Sequence, residues 1–380
     1  MADTFYFSRD TKVHLTDSHS TPKVYNIPVL DGFSFSQATN TTEVTLNEFA
    51  KSDGVSRRGR QMFTDSYAPV EWSFSTYIRP FATGGGDASG EHAGSSGDEH
   101  MVEEALWNAL AGNKAIGTTP SGADGPGFTS TGSAATINFS KSNHATLDTF
   151  TLTFEMGSGK SLPVKYQISE CAVNEVTIDF DIDGIATAQW SGFGKLISEV
   201  SAMPTATIYE GTAAGDTNNF IRNRLTDLTV TATASGPIVG AYDLTLTGGS
   251  VTISNNMTYL TPETIGIVNQ PLGHVAGTRS VTGSFTCYLN TPASGASSTD
   301  LFEDLMGDTT NVTNDFNLVF AVGGSSNTPK LTMTLPTCHL EVPTHSLDDI
   351  VSLETNFHAL PTSVDGTDEI TLVAVGPTVL

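Results

Sequence analysis

Apolar and polar residues alternate with a period of two along several stretches of the chain. Trp72, Phe74, Thr76 and Ile78 fall on one side of such a run, with Ser73, Ser75 and Tyr77 on the other. Val176, Ile178, Phe180 and Ile182 alternate in the same way with Thr177, Asp179, Asp181 and Asp183. Successive side chains of a strand point to opposite faces, so these runs predict strands with one face buried and one wet. The period changes in EHMVEEALWNALAG, where Val102, Leu106 and Leu110 recur every four residues beside Ala105 and Ala109. That stripe predicts an amphipathic helix of about three turns. Glu103 and Glu104 suit its positive end and Gly112 its C-cap. STDLFEDLMGD predicts a second such helix, opened by a Ser/Thr cap and closed at Gly307.

The order of these elements occurs twice. Cys171, Asp181 and Trp190 recur as Cys338, Asp348 and Phe357, each 167 positions later (338 − 171, 348 − 181, 357 − 190). FTLTF at 150–154 matches FNLVF at 316–320, LWNALAG at 106–112 matches LFEDLMG at 301–307, and SFSTYIR at 73–79 matches SFTCYLN at 284–290. FSFS at 33–36 pairs with VTIS at 251–254, and SRDTKVHLT at 8–16 with NRLTDLTVT at 223–231. A repeat in fixed order sets the architecture, and two long copies mean a duplicated domain rather than a solenoid. Copy one is expected over residues 4–195 and copy two over 219–372, within domains 1–200 and 218–380 joined by a linker at about 196–218. Copy one also carries Gly/Ser-rich insertions at about 82–100 and 113–135, expected as mobile surface loops.

Composition narrows the function. Seventeen Lys and Arg against 41 Asp and Glu give a formal charge of −24. A protein that grips nucleic acid phosphates needs the opposite sign, whereas an acidic one stays soluble and avoids sticking to them. Three cysteines cannot make a disulfide framework, and Cys171 and Cys338 occupy matching strand positions. They read as small buried hydrophobes made in a reducing compartment. The N-terminus has no basic segment followed by an apolar one, so no signal peptide is expected, and no stretch reaches the length of a membrane helix.

Local motifs that suggest chemistry fail on their spacing. GSGKS at 157–161 lacks the earlier glycine of a phosphate-binding loop, since Phe154 stands there, and it reads as a turn between strands. DFDIDG at 179–184 opens like a calcium loop, but Trp190 occupies the position of the bidentate glutamate. His92 and His100 lie in a glycine-rich segment without further ligands at metal spacing. No catalytic constellation is found, and neither metal nor cofactor is expected. The cluster VSRRGRQ reverses the local charge: Arg57, Arg58 and Arg60 form either a solvated loop or an interface arm that pairs with a neighbour's acidic surface. The matching arm of copy two has Arg279.

The ordered set, carried by pairs such as SFSTYIR/SFTCYLN and LWNALAG/LFEDLMG, resembles the tail tube (major tail) proteins of long-tailed bacteriophages. The resemblance implies a mainly β fold: two tandem homologous β-sandwich or partial-barrel tube domains, each with one short flanking α-helix. It implies a structural virion protein, not an enzyme, that forms trimeric, pseudo-sixfold rings stacked into the tail tube. DNA would pass through this tube into the host without specific binding. Expected partners are the chain itself, tape-measure, tail terminator and baseplate proteins, and a sheath if the tail contracts. Assembly is expected in the host cytoplasm. On this reading Asp179, Asp181, Asp183 and Asp348 form an acidic strand face lining the lumen, and Arg57, Arg58 and Arg60 an inter-ring arm. Two other readings stand beside it: another self-assembling tube, baseplate or decoration protein, and a carbohydrate- or receptor-binding β-sandwich.

Overall fold

The structure, a computed structural model, describes residues 5–18, 22–44, 61–83, 97–112, 127–139, 147–203, 208–209, 217–232, 241–261, 264–266, 268–291, 296–307, 316–347, 349–364 and 366–378. In the first copy a back sheet runs β2 (Val24–Ile27), β1 (Thr11–Thr16), β9 (Phe150–Met156), the first half of β10 (Val164–Asp181) and β12 (Leu196–Glu199). A front sheet runs β3 (Ser34–Glu43), β4 (Met62–Tyr77), β11 (Thr187–Gly194) and the second half of β10. β10 therefore belongs to both layers. It changes layer at a bulge where Phe150 faces Cys171 and Leu152 faces Ile168, with Glu170 at φ 49°. An extra residue on one strand bends it, which is how one chain segment serves two sheets.

The second copy repeats this plan. Its back sheet runs β15 (Ala241–Asp243), β14 (Asp227–Ala232), β21 (Phe316–Val322), β22 (Lys330–Leu340) and β25 (Thr371–Val375). Its front sheet runs β16 (Leu246–Ser254), β19 (Ser280–Tyr288) and β24 (Val351–Ala359). The end of β22 and then β23 (Thr344–Leu347) follow the far side of β24. The bulge recurs at matching residues, with Phe316 facing Cys338 and Leu318 facing Leu335. Each cysteine points its Sγ at the carbonyl three residues back, Cys171 to Ile168 at 3.4 Å and Cys338 to Leu335 at 3.9 Å. Both thiols are buried, and desolvation pushes them up, Cys338 to about 12. They pack as hydrophobes.

Between the layers lie the apolar positions of the alternating runs. Trp72, Phe74, Val176, Ile178, Phe180 and Trp190 are all buried. Trp190 stands edge-on to Trp107 at 4.7 Å and donates to the Thr76 hydroxyl at 2.9 Å. Helix α1 (Glu104–Leu110) supplies Trp107. It is shorter than its apolar period predicts, because β6 (Glu99–Met101) takes the preceding residues and pairs with β5 (Pro80–Ala82). It is also buried all round, Glu104 and Asn108 included, where one wet face was expected. The second helix, α2 (Ser298–Gly307), matches expectation better. Leu301 is buried, Met306 exposed, and Ser297 and Asp300 cap its start reciprocally, Ser297 N–H donating to the carboxylate at 2.7 Å.

One Gly-rich insertion and the expected linker hold more order than their composition suggests. Within 113–135, β7 (Phe128–Ser130) and the start of β8 (Ala135–Ile137) form strands, and β8 pairs with β25 of the other copy. Phe128 and Ala135 are buried there, so apolar burial overrides the glycine bias. Residues 196–218 include β12 on β10 and β13 (Ile208–Tyr209), which lies parallel to β2. The C-terminal strand returns the exchange: Ala82 N–H donates to Pro377 O at 2.9 Å, and Gly376 N–H to the Glu99 carboxylate at 2.8 Å. The two copies are laced together.

Ladder register refines two of the repeat matches. Aligning β4 with β19 and β10 with β22 by their sequence pairs sets Phe357 at the position of Gly192, not Trp190. The same ladders set Val251 at the position of Phe35, not Phe33. A shift of two keeps each side chain on its own face, so sequence patterning alone cannot detect it.

Candidate functional site: one shared sheet and its two free edges

The second half of β10 pairs with β16 over seven positions, from Glu175 facing Ser254 to Asp181 facing Gly248. This ladder joins the front sheets of both copies into one, in the order β3, β4, β11, β10, β16, β19, β24, then β22 with β23. The joint is well buried. Val176, Ile178, Val251 and Ile253 are at 0 % exposure, and Phe180 crosses into the second copy to meet the Phe320 ring at 5.2 Å. Across the ladder Gly249 leaves room for the Phe180 ring, which a Cβ would enter. On the wet side Thr177 and Thr252 join hydroxyls at 3.0 Å.

One face of this sheet packs on the core and the other is open. The open face is built mostly of Ser, Thr, Asn and Gln, with Tyr77, Tyr288 and His358 among them and Glu71, Glu175, Asp179, Asp181 and Glu354 as acids. β3, β4, β11, β16, β19, β23 and β24, and β10 from Cys171 onward, contain no Lys or Arg at all. The back sheet, by contrast, includes Lys12, Lys165 and Lys330. The back-sheet strands thus carry both signs, with Glu155, Glu199, Asp227 and Asp243 beside those lysines, whereas the front-sheet strands carry carboxylates without Lys or Arg. Asp179 accepts from the Gln189 amide at 2.8 Å, and partial desolvation raises its carboxyl above the usual range despite that bond.

Of the four aspartates singled out by sequence, Asp179 and Asp181 stand on the open face. Asp183 lies beyond the end of β10, in the turn toward β11, and meets the exposed Arg224 at 3.2 Å. Asp348 lies outside the described residues, as do Arg57, Arg58, Arg60 and His92. The base of that first arm is described: β3 and β4 run on as a ribbon to Glu43 and Met62, with Met62 and Phe63 exposed. The second arm contains β17 (Thr258–Leu260) and β18 (Gly273–Val275) and folds back on copy one. Asn255 donates to Leu110 O and Val173 O, and Met257 N–H to the Asn174 side chain at 2.8 Å. Its Arg279 packs over Phe139 and pairs with Glu369, so it turns inward rather than outward.

Sequence reasoning missed a buried polar network at the start of α1. Glu103 accepts from Arg79 N–H at 3.3 Å and from Trp107 Nε1 at 3.2 Å, and burial pushes its carboxyl up to about 7. The Arg79 guanidinium donates to Asn219 at 2.9 Å and stacks on Phe220 at 4.3 Å. His100 holds Glu104 at 2.8 Å and the Ser130 hydroxyl at 3.1 Å. The repeat offered the signal: the positions of Arg79 and Glu103 become Asn290 and Ser298 in copy two, where Asn290 N–H donates to Ser298 at 2.8 Å. One contact serves both copies, charged in the first and neutral in the second.

No family profile matches the chain. It is similar along nearly its whole length to tail tube protein pb6 of Escherichia phage T5, with 29% identity over 376 residues, 95% of this chain and 74% of the relative. The chain is a relative of phage tail tube proteins. The mainly β architecture described above is consistent with that likeness. Among the described residues no helix is long and apolar enough to cross a membrane.

Proposed function

We propose that this chain is the structural subunit of a phage tail tube. Residues 1–200 and 218–380 each supply one tube domain, and chains assemble as trimeric rings of pseudo-sixfold symmetry that stack into a hollow tube. The single observation that carries this reading is the shared front sheet, which joins two copies edge to edge beneath an open face whose strands carry no Lys or Arg. A wall of that composition suits DNA delivery. Duplex DNA carries one phosphate charge per roughly 1.7 Å, so basic side chains would hold it at every step while carboxylates repel it. The role is structural rather than catalytic. DNA passes without specific binding, and the tube resides in the virion tail after assembly in the host cytoplasm.

The further contacts follow from that role. Tape-measure protein would occupy the lumen, terminator and baseplate proteins the two ends, and a sheath the outside of a contractile tail. Arg57, Arg58 and Arg60, which lie in sequence between β3 and β4, are proposed to meet the acidic surface of the next ring. The test is direct: purified protein examined by negative-stain electron microscopy should show hollow tubes or stacked rings. A population that stays monomeric across salt and concentration would overturn the reading.

A further inference from the structure

Past the cysteine bulge of the second copy, the ladder between β22 and β24 places His339 directly opposite His358. The next pair, Leu340 and Phe357, is buried in the core, so both imidazoles stand on the opposite, open face. One step further Glu341 N–H donates to the Asn356 carbonyl at 2.9 Å, which sets Glu341 beside Asn356 on that same face. Two histidines, a carboxylate and an amide thus occupy the corners of one square. All four side chains are exposed. One diagonal is already closed, with His358 Nε2 3.4 Å from Glu341 Oε1. The Asn356 amide donates to the other carboxylate oxygen at 2.9 Å. That bond first, and the one from His358 after it, hold the Glu341 carboxyl below its usual range.

The fold does not require these residues. In copy one the same square is Ala172, Asn174, Ser191 and Phe193, with Ala172 facing Phe193. There the second arm lies over it, with Tyr259 against the Phe193 ring at 6.3 Å and Met257 N–H on the Asn174 side chain. Copy two has two imidazoles where copy one has that apolar pair. An exposed ion pair adds little to stability, so packing supplies no reason for the set. Ligand chemistry does. Strand residues that face each other have Cβ atoms about 4.5–5.5 Å apart, and imidazole nitrogens bind zinc at about 2.0–2.1 Å. An ion between the rings is within reach of both by side-chain rotation, with no change of backbone. In the free chain no three such groups among the described residues converge on one point, so these exposed side chains must turn inward to gather an ion.

We propose that His339, His358 and Glu341 form a binding site for a divalent transition ion of the Zn²⁺ and Ni²⁺ class, with Asn356 as a positioning residue for the carboxylate. Two imidazoles and one carboxylate suit these ions, and water completes the shell. Mg²⁺ and Ca²⁺ favour oxygen ligands and are rejected. The hydrogen bond from Asn356 fixes how the carboxylate is presented. A bound ion brings positive charge to a sheet whose strands β16, β19 and β24 contain no Lys or Arg. The site lies within a single chain and stands apart from the tube reading. Sequence spacing conceals it, because the two histidines are 19 positions apart (358 − 339) and only the ladder brings them together.

Calorimetric titration of untagged, metal-free protein with Zn²⁺ is the test. Wild type should bind one Zn²⁺ per chain and keep it in excess Mg²⁺. His339→Ala with His358→Ala should remove that equivalent. Glu341→Gln and Asn356→Ala should each weaken it, the second by about 10–100-fold. His345→Ala, which alters an exposed histidine outside the square, should change nothing. Without metal all variants should melt as wild type does, and Zn²⁺ should raise the melting temperature of wild type but not of the double variant. Retention of the Zn²⁺ equivalent by the double variant, no binding by wild type, or displacement by Mg²⁺ would overturn the site. None of these outcomes bears on whether the chain forms tubes.

Discussion

Phe357 lies across the ladder from Gly283, with its ring over the bare backbone of β19. The first copy builds the same pair in reverse: Trp72 stands on β4 and Gly192 on β11. One large ring per ladder step is what the space between the layers accepts, and either strand can supply it. A methyl group on Gly283 would meet the Phe357 ring and the Ser250 carbonyl. Gly283→Ala should therefore cost about 1–3 kcal/mol by overpacking. Gly159→Ala, with no atom within 4 Å of an added Cβ, should be near neutral. Denaturant melts of the two variants provide the comparison.

Phe180 is the apolar tie between the copies. Phe180→Ala removes a fully buried ring from the β10–β16 joint and should destabilise the subunit by about 3–5 kcal/mol. Calorimetry should show a lower or split transition. A melt unchanged from wild type would mean that the joint contributes little.

Glu103 gives the fold a pH dependence of known sign. Burial raises its folded carboxyl to about 7, from an ordinary value of 4.5, against the opposing pull of Trp107 and Arg79. Between those two pH values the folded chain holds the proton more tightly than the unfolded chain. Its contribution is fully present below about pH 4.5, and stability falls as pH rises toward about 7. Glu103→Gln should flatten that part of the profile, since the amide oxygen still accepts from Trp107. Unfolding midpoints of both proteins measured from pH 4 to 8 would decide it, and identical slopes would exclude Glu103 as the source.

The acidic face predicts a separation of assembly from transport. Asp179→Asn with Asp181→Asn leaves the strand pattern intact and should leave polymer formation unchanged. Asp179→Lys with Asp181→Lys should slow genome passage in an infection assay, because fixed cations would hold phosphates. Normal ejection kinetics in the lysine variant would argue that this face does not meet DNA.

The C-terminal tail should behave as part of copy one. Truncation after Val375 removes the Gly376 N–H that Glu99 accepts from and the Pro377 carbonyl that Ala82 donates to. Loss of two partly buried hydrogen bonds should cost about 1–3 kcal/mol. Hydrogen exchange should report faster opening of β5 and β6, far from the cut in sequence.

Periodicity and repetition, both properties of the chain alone, determined that this protein is mainly β, that it holds two similar copies with one helix each, and that its alternating runs bury Trp72, Phe74, Val176, Ile178 and Phe180. The repeat also located the strand whose polar side is acidic. Tertiary structure decided everything that depends on which strand lies beside which. Backbone hydrogen bonds carry no side-chain signature, so nothing in the sequence says that β10 meets β16, that β8 crosses to β25, or that a match slips by two residues without changing face. Glycine content likewise made an insertion look like loop, where burial of Phe128 and Ala135 made it strand. His339 and His358 are legible as histidines anywhere they fall; that they stand opposite each other on the open face is a fact of the fold.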